Sequence, residues 1–358
     1  MLVQRLRRHV LALRWFAAFW GVAVALYCLV RFGGTSESVD WLTSPWMIPL
    51  FWAICTLSLA LIDWGSTLLI DKYFLRNRTF GHIVVLKGLT LVLAVLLLTL
   101  ATRLMAAAAG QIEWSDLLPN LLRKLREVRF TVAVVYAGCL GALSAFIRQV
   151  ALMVGPRVLI DLIRGRYFHP KEEERIFAFL DLKGSTMHAE RLGHATFSRL
   201  IQDCFRDLTD AAIQHNVDIY KYVGDEAILT WHAADGLQDW NCVRACLAFQ
   251  VTLTDRRAYY EATYGLLPEF KAGINMGHVT VAEVGVIKRG IEYMSDVLNT
   301  AARIEGKCNE YGCNLLVSGA VKDGLAPEEA FHVEHRGSVL LRGKEETVEI
   351  YGVLESRP

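Results

Sequence analysis

The chain has 358 residues, enough for two domains, and 53% of them are hydrophobic, which excludes an ordinary soluble enzyme over its whole length. Its 38 basic and 37 acidic residues leave a formal net charge of +1, so the overall charge does not predict a nucleic-acid partner. The eight cysteines follow no disulfide or zinc spacing, and we expect reduced thiols in the protein core.

Four apolar runs fill the first 155 residues, and each is long enough to cross a bilayer, which takes about 20 helical residues. They span residues 10–30, 46–70, 83–105 and 130–154. The first run is too long for the apolar part of a signal peptide, so we do not expect cleavage. The sequence therefore predicts an N-terminal four-helix transmembrane domain over residues 1–155.

Two of these runs contain a charged residue, Asp63 in the second and Lys87 in the third. An ionisable group within a membrane span usually faces other helices or a water-filled gap. The two groups can pair with each other, or each can lie near an interface and extend its charge into the headgroups. The sequence leaves both interpretations open.

The charges of the connecting loops predict the orientation of this domain. The N-terminus, the 71–82 loop and the segment after the fourth run are basic, whereas the 33–45 loop contains acidic residues and neither lysine nor arginine. The positive-inside rule then places the N-terminus and the C-terminal domain in the cytoplasm. The basic stretch 117–128 falls outside in this topology, and its apolar spacing predicts an amphipathic helix on the membrane surface.

We therefore expect a multi-pass protein of the inner cell membrane, in contact with membrane lipid and with its C-terminal domain in the cytoplasm. Whether a ligand or a protein partner binds the transmembrane domain stays open at this stage.

Residues 156–174 form a charged linker with a short helix over 159–164, which Pro170 ends. Strands and helices alternate over residues 175–358. Strands are predicted at 176–182, 219–223, 226–231, 270–275, 279–284, 314–318, 331–335 and 347–353, and helices at 185–215 (in two pieces), 237–260 and 297–311. This mixture predicts an α+β, ferredoxin-like sheet with helices on one face.

The first chemical motif is Phe-Ala-Phe-Leu-Asp-Leu-Lys-Gly-Ser-Thr at 177–186. A strand ends in Asp181, Gly184 forms a turn, and Ser185 or Thr186 is expected to cap the next helix. A carboxylate beside the free N–H groups of a helix can hold a hard cation against phosphate oxygens. Taken alone, an aspartate that begins a turn is commonplace.

The second motif is a hairpin whose turn is Gly224-Asp225. Asp225 lies at the tip of this hairpin, and the presence of Asp181 makes it a stronger candidate metal ligand. Two carboxylates on adjacent strand ends can bridge a pair of divalent ions. We interpret the next residue, Glu226, as a solvated hairpin charge.

Two further motifs carry polar groups. Asn299 and Arg303 are four residues apart on a predicted helix, hence on one face, where they can grip a sugar and a phosphate or simply be solvated. A basic turn with Lys344 precedes the last strand, and a plain surface turn is its alternative.

These four segments, in this order, resemble the catalytic domain of class III adenylyl/guanylyl cyclases of the membrane-anchored bacterial type, over residues 172–354. The resemblance is specific, because three of these segments would rarely coincide by chance: the Asp181 segment, Lys-Tyr-Val-Gly-Asp at 221–225 and Asp-Val-Leu-Asn-Thr-Ala-Ala-Arg at 296–303. The 1–155 region resembles no family that we can name.

The resemblance implies a role for each matching residue. Two divalent cations per site, Mg²⁺ or Mn²⁺, are expected on Asp181, Asp225 and the backbone carbonyl of Leu182, with Gly184, Ser185 and Thr186 in contact with the substrate. Further implied roles are purine recognition by Lys221 and Glu292, ribose orientation by Asn299, transition-state stabilisation by Arg303 and binding of the terminal phosphates by Lys344.

The base-reading pair favours ATP over GTP. Adenine accepts a hydrogen bond at N1, which Lys221 can donate, and donates one at N6, which Glu292 can accept, whereas guanine reverses that polarity. Family members share each site between two domains, so the single catalytic domain here implies a homodimer with two composite sites. The alternatives are a guanylate cyclase of the same fold, or a membrane receptor whose cyclase-like domain only dimerises or binds nucleotide.

Overall fold

The structure is a computed structural model that describes residues 2–33, 47–73, 79–108, 110, 113–340 and 347–355. Contacts between residues divide it into two compact units, Met1–Val154 and Gly155–Pro358.

The first unit is entirely helical where it is described. Its helices are α1 (Leu2–Gly33), α2 (Met47–Tyr73), α3 (Phe80–Ala108), α4 (Leu117–Arg126), which follows a 3₁₀ turn at Trp114–Asp116, and α5 (Val128–Val154). Three stretches are long and apolar enough to cross a membrane: Trp52–Ile70, Phe80–Met105 and Val128–Val154. In α1 the apolar stretch within the described side chains, Leu13–Leu29, is shorter. All four predicted runs are therefore helical, and three meet the requirements of a span.

Asp63 and Lys87 pair with each other, which decides between the two interpretations of these charges. Lys87 Nζ lies 2.5 Å from Asp63 Oδ1, and the two side chains are 4% and 0% exposed. Asp63 Oδ2 accepts hydrogen bonds from Trp20 Nε1 at 3.0 Å and Ser144 Oγ at 2.8 Å. Lys87 also donates to Ser66 Oγ at 2.7 Å and to the backbone oxygen of Asp63. One buried ion pair thus connects α1, α2, α3 and α5.

The predicted amphipathic helix is confirmed as α4. Leu118, Leu122 and Leu125 are exposed, and three basic residues lie in its last turn. The predicted orientation depends on the 33–45 and 71–82 loops, of which residues 34–45 and 74–78 lie outside the described residues.

The second unit is built on a mixed sheet of eight strands in the order β2-β3-β1-β4-β6-β8-β7, with β5 paired to β4. The β4–β6 pair is parallel and the other pairs are antiparallel. The strands are β1 (Lys171–Leu182), β2 (Asp218–Val223), β3 (Glu226–His232), β4 (Phe270–Val284), β5 (Gly290–Met294), β6 (Leu315–Ser318), β7 (Phe331–Leu340) and β8 (Thr347–Glu355).

The helices of this unit lie on both faces of the sheet, not on one face as predicted. They are α6 (Pro156–Ile163), α7 (Ser185–Leu192), α8 (His194–Gln214), α9 (Ala233–Leu237), α10 (Asn241–Asp255), α11 (Arg257–Tyr264), α12 (Asp296–Gly306) and α13 (Gly319–Gly324). Side chains of α8, α10 and α11 pack into one large cluster. Side chains of α6 and α12 pack into a smaller one that also contains Phe177 and Phe179.

The two clusters follow from the alternation of side chains along β1. Ile176, Ala178 and Leu180 enter the large cluster, whereas Phe177 and Phe179 enter the small one. Both sets are apolar and buried, so both faces of this strand need a covering layer. The prediction was wrong because it treated this buried strand as if only one of its faces required helices.

Other element boundaries also differ from prediction. Residues 270–284 form one strand rather than two, because Gly277 keeps its place opposite Arg175 in an unbroken register with β1. The predicted 237–260 helix begins only at Asn241, since Asp239 and Trp240 have φ of 50° and 57°. β1 begins at Lys171, within the 156–174 segment assigned to the linker. The predicted break in the 185–215 helix is confirmed at Gly193, where φ is 73°.

Candidate active site

Charged side chains converge where β1 ends. In the strand register Asp181 lies opposite Glu226 of β3 and Lys271 of β4, so the three side chains project from the same face of the sheet. Lys271 Nζ lies 3.3 Å from Asp181 Oδ2 and 2.7 Å from Oε1 of Glu305, on α12. Asp225 precedes Glu226 in the tight turn between β2 and β3. The Lys271 ammonium group therefore contacts two carboxylates, Asp181 and Glu305, and the carboxylates of Asp225 and Glu226 lie near Asp181.

This crowding changes the protonation of the site. Burial, together with the charges of Glu305 and Asp225, raises the pKa of Asp181 to about 6. Burial and the charge of Asp181 raise the pKa of Glu226 to about 7. The interpretation of Glu226 as a solvated hairpin charge is therefore wrong, because its side chain is half-buried opposite Asp181. Neighbouring carboxylates that repel one another disfavour full ionisation, so the cluster favours a bound cation.

Asp225 gives an independent indication of a cation. Its Oδ2 atom is buried and has no hydrogen-bond partner among the described residues. A buried carboxylate oxygen without a partner is costly unless a proton, a donor or a metal ion satisfies it. Within the described part of the chain, no three His, Cys, Asp or Glu side chains are arranged to hold a metal ion by themselves. The residues fit a divalent cation whose remaining ligands come from another molecule.

The turn after Asp181 differs in one respect from prediction. Gly184 is the N-cap residue of α7, with φ of 64°. Neither Ser185 nor Thr186 therefore occupies the capping position. A left-handed φ is accessible to glycine at little cost, and it brings α7 directly after the strand. Ser185 and Thr186 therefore occupy the first turn of the helix, and the buried Leu182 ends the strand.

Lys221 and Glu292 form an ion pair between β2 and β5. Lys221 Nζ lies 2.8 Å from Glu292 Oε1 and 2.7 Å from Oε2, and both side chains are more than a third exposed. The hydroxyl of Tyr220 also donates to Oε2 of Glu292. Burial alone raises the pKa of Glu292, but the hydrogen bonds from Lys221 and Tyr220 outweigh it and lower that pKa overall. β2 and β5 thus bring the two predicted base-reading residues together.

Asn299 and Arg303 lie on the exposed side of α12. The opposite side of the helix packs on the sheet through Val297, Ala301 and Ile304. Gly273 of β4 permits this close packing, because a Cβ atom there would lie 2.1 Å from the backbone nitrogen of Glu305. The close packing at Gly273 therefore fixes the distance between the sheet and α12, the helix that presents the two polar side chains.

Sequence reasoning missed Lys271, Glu305 and Tyr220. A signal for Lys271 was available, because it interrupts the apolar stretch from Phe270 to Ile274 on the same face as Asp181. Tyr220 carried no such signal, since its position depends on an irregularity of β2. Lys344 lies outside the described residues.

Comparison with known proteins finds a matching protein family and relatives that are named as adenylate cyclases. Residues 169–355 match the family model described as the adenylate and guanylate cyclase catalytic domain. The chain is 31% identical over 211 residues to adenylate cyclase 2 of Rhizobium meliloti (strain 1021), covering 59% of this chain and 58% of that protein. It is 30% identical over 182 residues to the adenylate cyclase of Anabaena cylindrica, covering 49% and 36%. The chain thus spans less than two thirds of either relative.

A solved structure shares the fold. The structure of a bacterial light-regulated adenylyl cyclase aligns with a TM-score of 0.53 at 21% identity, covering 63% of this chain and 65% of that one.

Proposed function

The chain belongs to the family of adenylate and guanylate cyclase catalytic domains, and we propose that it is an adenylate cyclase that converts ATP to 3′,5′-cyclic AMP and pyrophosphate. The observation that carries the choice of nucleotide is the contact between Lys221 and Glu292. This pair presents a donor and an acceptor side by side, which is the complement of the N1 and N6 positions of adenine. Guanine presents the opposite polarity at both positions, so the pair disfavours GTP.

The reaction forms a bond between the ribose 3′-oxygen and the α-phosphorus, while pyrophosphate departs in line. Asp181, Asp225 and the carbonyl of Leu182 would hold two divalent cations, which supply acidification of the 3′-hydroxyl and neutralisation of the triphosphate when bound. Asn299 orients the ribose, and Arg303, which is always charged, meets the negative charge that develops on the α-phosphate. Gly184, Ser185 and Thr186 contact the phosphates, and Lys344 holds the terminal ones.

We further propose a symmetric homodimer. Support comes from the exposed position of Asn299 and Arg303 on α12, where a second chain can present its metal-binding carboxylates. Two such composite sites would form in each dimer.

We also propose that the helical unit anchors the protein in the inner membrane with four spans and a cytoplasmic catalytic domain. Three helices already meet the requirements of length and composition. The remaining support is the positive-inside pattern of the loops. Reporter fusions after Pro358 and within the 33–45 loop test this topology, and a cytoplasmic signal from both would contradict it.

The direct test of function is cyclic nucleotide formation by the purified full-length protein with Mg²⁺ or Mn²⁺. We expect cyclic AMP from ATP and far less cyclic GMP from GTP. Equal rates with the two nucleotides would show that Lys221 and Glu292 do not read the base.

Asp181→Asn and Asp225→Asn are each expected to lower the rate by orders of magnitude, and near-normal turnover in either variant would exclude the assigned metal site.

Co-expression tests the composite site. One chain carries Asp181→Ala and Asp225→Ala, and the other carries Asn299→Ala and Arg303→Ala. Each alone should be nearly inactive, whereas random mixing should restore about a quarter of full activity, because about half of the dimers are mixed and keep one of two sites. Mixed dimers that form but stay inactive would rule out the shared site.

A further inference from the structure

We propose that Tyr220 is a positioning residue that fixes the polarity of the base-reading pair and thereby sets the preference for adenine over guanine. This inference rests on the proposed function, since it concerns the same nucleotide site. Tyr220 contacts both members of the pair. Its hydroxyl donates to Oε2 of Glu292, and its ring lies 4.6 Å from Lys221 Nζ, measured to the ring centroid.

A β-bulge explains how two consecutive residues reach one carboxylate. In a regular strand the side chains of Tyr220 and Lys221 would point to opposite faces of the sheet. The register of β2 against β3 pairs Ile219 with Leu229 and then Lys221 with Ile228, so Tyr220 is the additional residue. Bulges redirect side chains near binding sites. Here the bulge places the tyrosine hydroxyl and the lysine ammonium on the same glutamate.

The hydrogen-bonding capacity of the pair shows what Tyr220 contributes. A carboxylate has about four acceptor positions, and an ammonium group has three donors. Glu292 accepts two bonds from Lys221 and one from Tyr220, which leaves one acceptor position, on Oε1. Lys221 donates twice to Glu292, and its ammonium group also interacts with the Tyr220 hydroxyl. Tyr220 thus limits the orientations of both groups, so that the pair presents its donor and its acceptor to a base at fixed places.

Tyr220 can fix these places because it is itself held. Its ring packs edge-on against Tyr293 at 4.9 Å and against Phe177 at 6.5 Å, and Phe177 is fully buried. Tyr220 also belongs to the hydrophobic cluster on this face of the sheet. Lys221 and Glu292, by contrast, are long side chains that are more than a third exposed. Without the tyrosine hydroxyl, the carboxylate can rotate about Lys221, and the donor and acceptor no longer keep separate positions.

Tyr220→Phe in the full-length protein removes the hydroxyl and keeps the ring and its packing. The first measurement is equilibrium binding of non-cyclisable α,β-methylene analogues of ATP and GTP in the presence of Mg²⁺. We expect the ratio of the two affinities to fall about tenfold, in line with the loss of one hydrogen bond to a charged group. If cyclic AMP is formed, the KM for ATP should rise by a similar factor while kcat changes less than about threefold.

Tyr222→Phe is the matched control, since it removes a hydroxyl from the same strand, where the ring stacks on Phe205 at 4.5 Å. It should leave the affinity ratio unchanged. An unchanged ratio in Tyr220→Phe, or an equal fall in both variants, would overturn the role of Tyr220. A wild-type protein that makes no cyclic AMP would overturn the proposed function instead, and the binding ratio would still decide the role of Tyr220.

Discussion

The buried ion pair of the helical unit allows a quantitative test of how this unit is held together. Lys87→Met leaves the carboxylate of Asp63 with the neutral donors Trp20 and Ser144 among the described side chains. Asp63→Asn removes the carboxylate that the ammonium of Lys87 contacts at 2.5 Å. Removing one partner of a buried pair costs about 3–5 kcal/mol, because the remaining charge is uncompensated. An apolar or neutral replacement of both partners costs far less.

We therefore expect each single variant to lose about 3–5 kcal/mol of unfolding free energy, and the double variant to lose less than either. The assay is unfolding of the purified protein in mixed detergent micelles, followed by circular dichroism. Ser66→Ala is the control for one lost hydrogen bond from the Lys87 ammonium group to a neutral hydroxyl and should cost about 1.5–3 kcal/mol. Losses that simply add, within about 0.5 kcal/mol, would refute the argument, because uncoupled residues behave in that way.

Three further predictions concern the catalytic unit. Gly273→Ala should displace α12, since the new Cβ would lie 2.1 Å from the backbone nitrogen of Glu305, and a shift of about 1 Å should lower kcat about 100-fold. Gly306→Ala, whose Cβ would meet no atom within 4 Å, should leave kcat unchanged. Because the pKa of Asp181 is raised to about 6, titration calorimetry should show tighter Mg²⁺ binding as the pH rises from about 5.5 to 7.5. The metal-free protein should lose stability as the pH rises from about 4 to about 6, because folded Asp181 still holds a proton that the unfolded chain has already released. Asp203→Ala should lower the free energy of unfolding by about 3–5 kcal/mol, since Tyr259, Tyr264 and Arg206 all donate to this buried carboxylate and each hydrogen bond to a charged group contributes about 1.5–3 kcal/mol. Asp210→Ala, at an exposed position, should have little effect in the same denaturation experiment.

Local sequence patterns predicted the elements whose determinants lie within a few residues. The Gly224-Asp225 hairpin is present with its two strands, because turn chemistry there is local. The break at Gly193 is present for the same reason. Lys221 and Glu292 were named as a pair through the family resemblance, and the structure brings them into contact.

The features that sequence reasoning missed depend on partners distant in the chain. The half-buried position of Glu226 was misjudged, because it follows from the pairing of Glu226 with Asp181, 45 positions earlier in the chain. The bulge at Tyr220 changes no residue type and leaves no periodicity to detect. Helices on both faces were missed because a continuous apolar strand does not reveal which residues cover each side.

The two clusters of the catalytic sheet differ in size, and this has a consequence for how the protein responds to heat or denaturant. The large cluster, built with α8, α10 and α11, lies opposite the face that carries Asp181, Lys271 and α12. Regions with fewer buried apolar contacts open at lower free energy than the most stable core. Amide hydrogens of α12 and β5 should therefore exchange with solvent before those of β1 and β3. Catalysis would then be lost in a local opening event, at a temperature below that at which the domain unfolds.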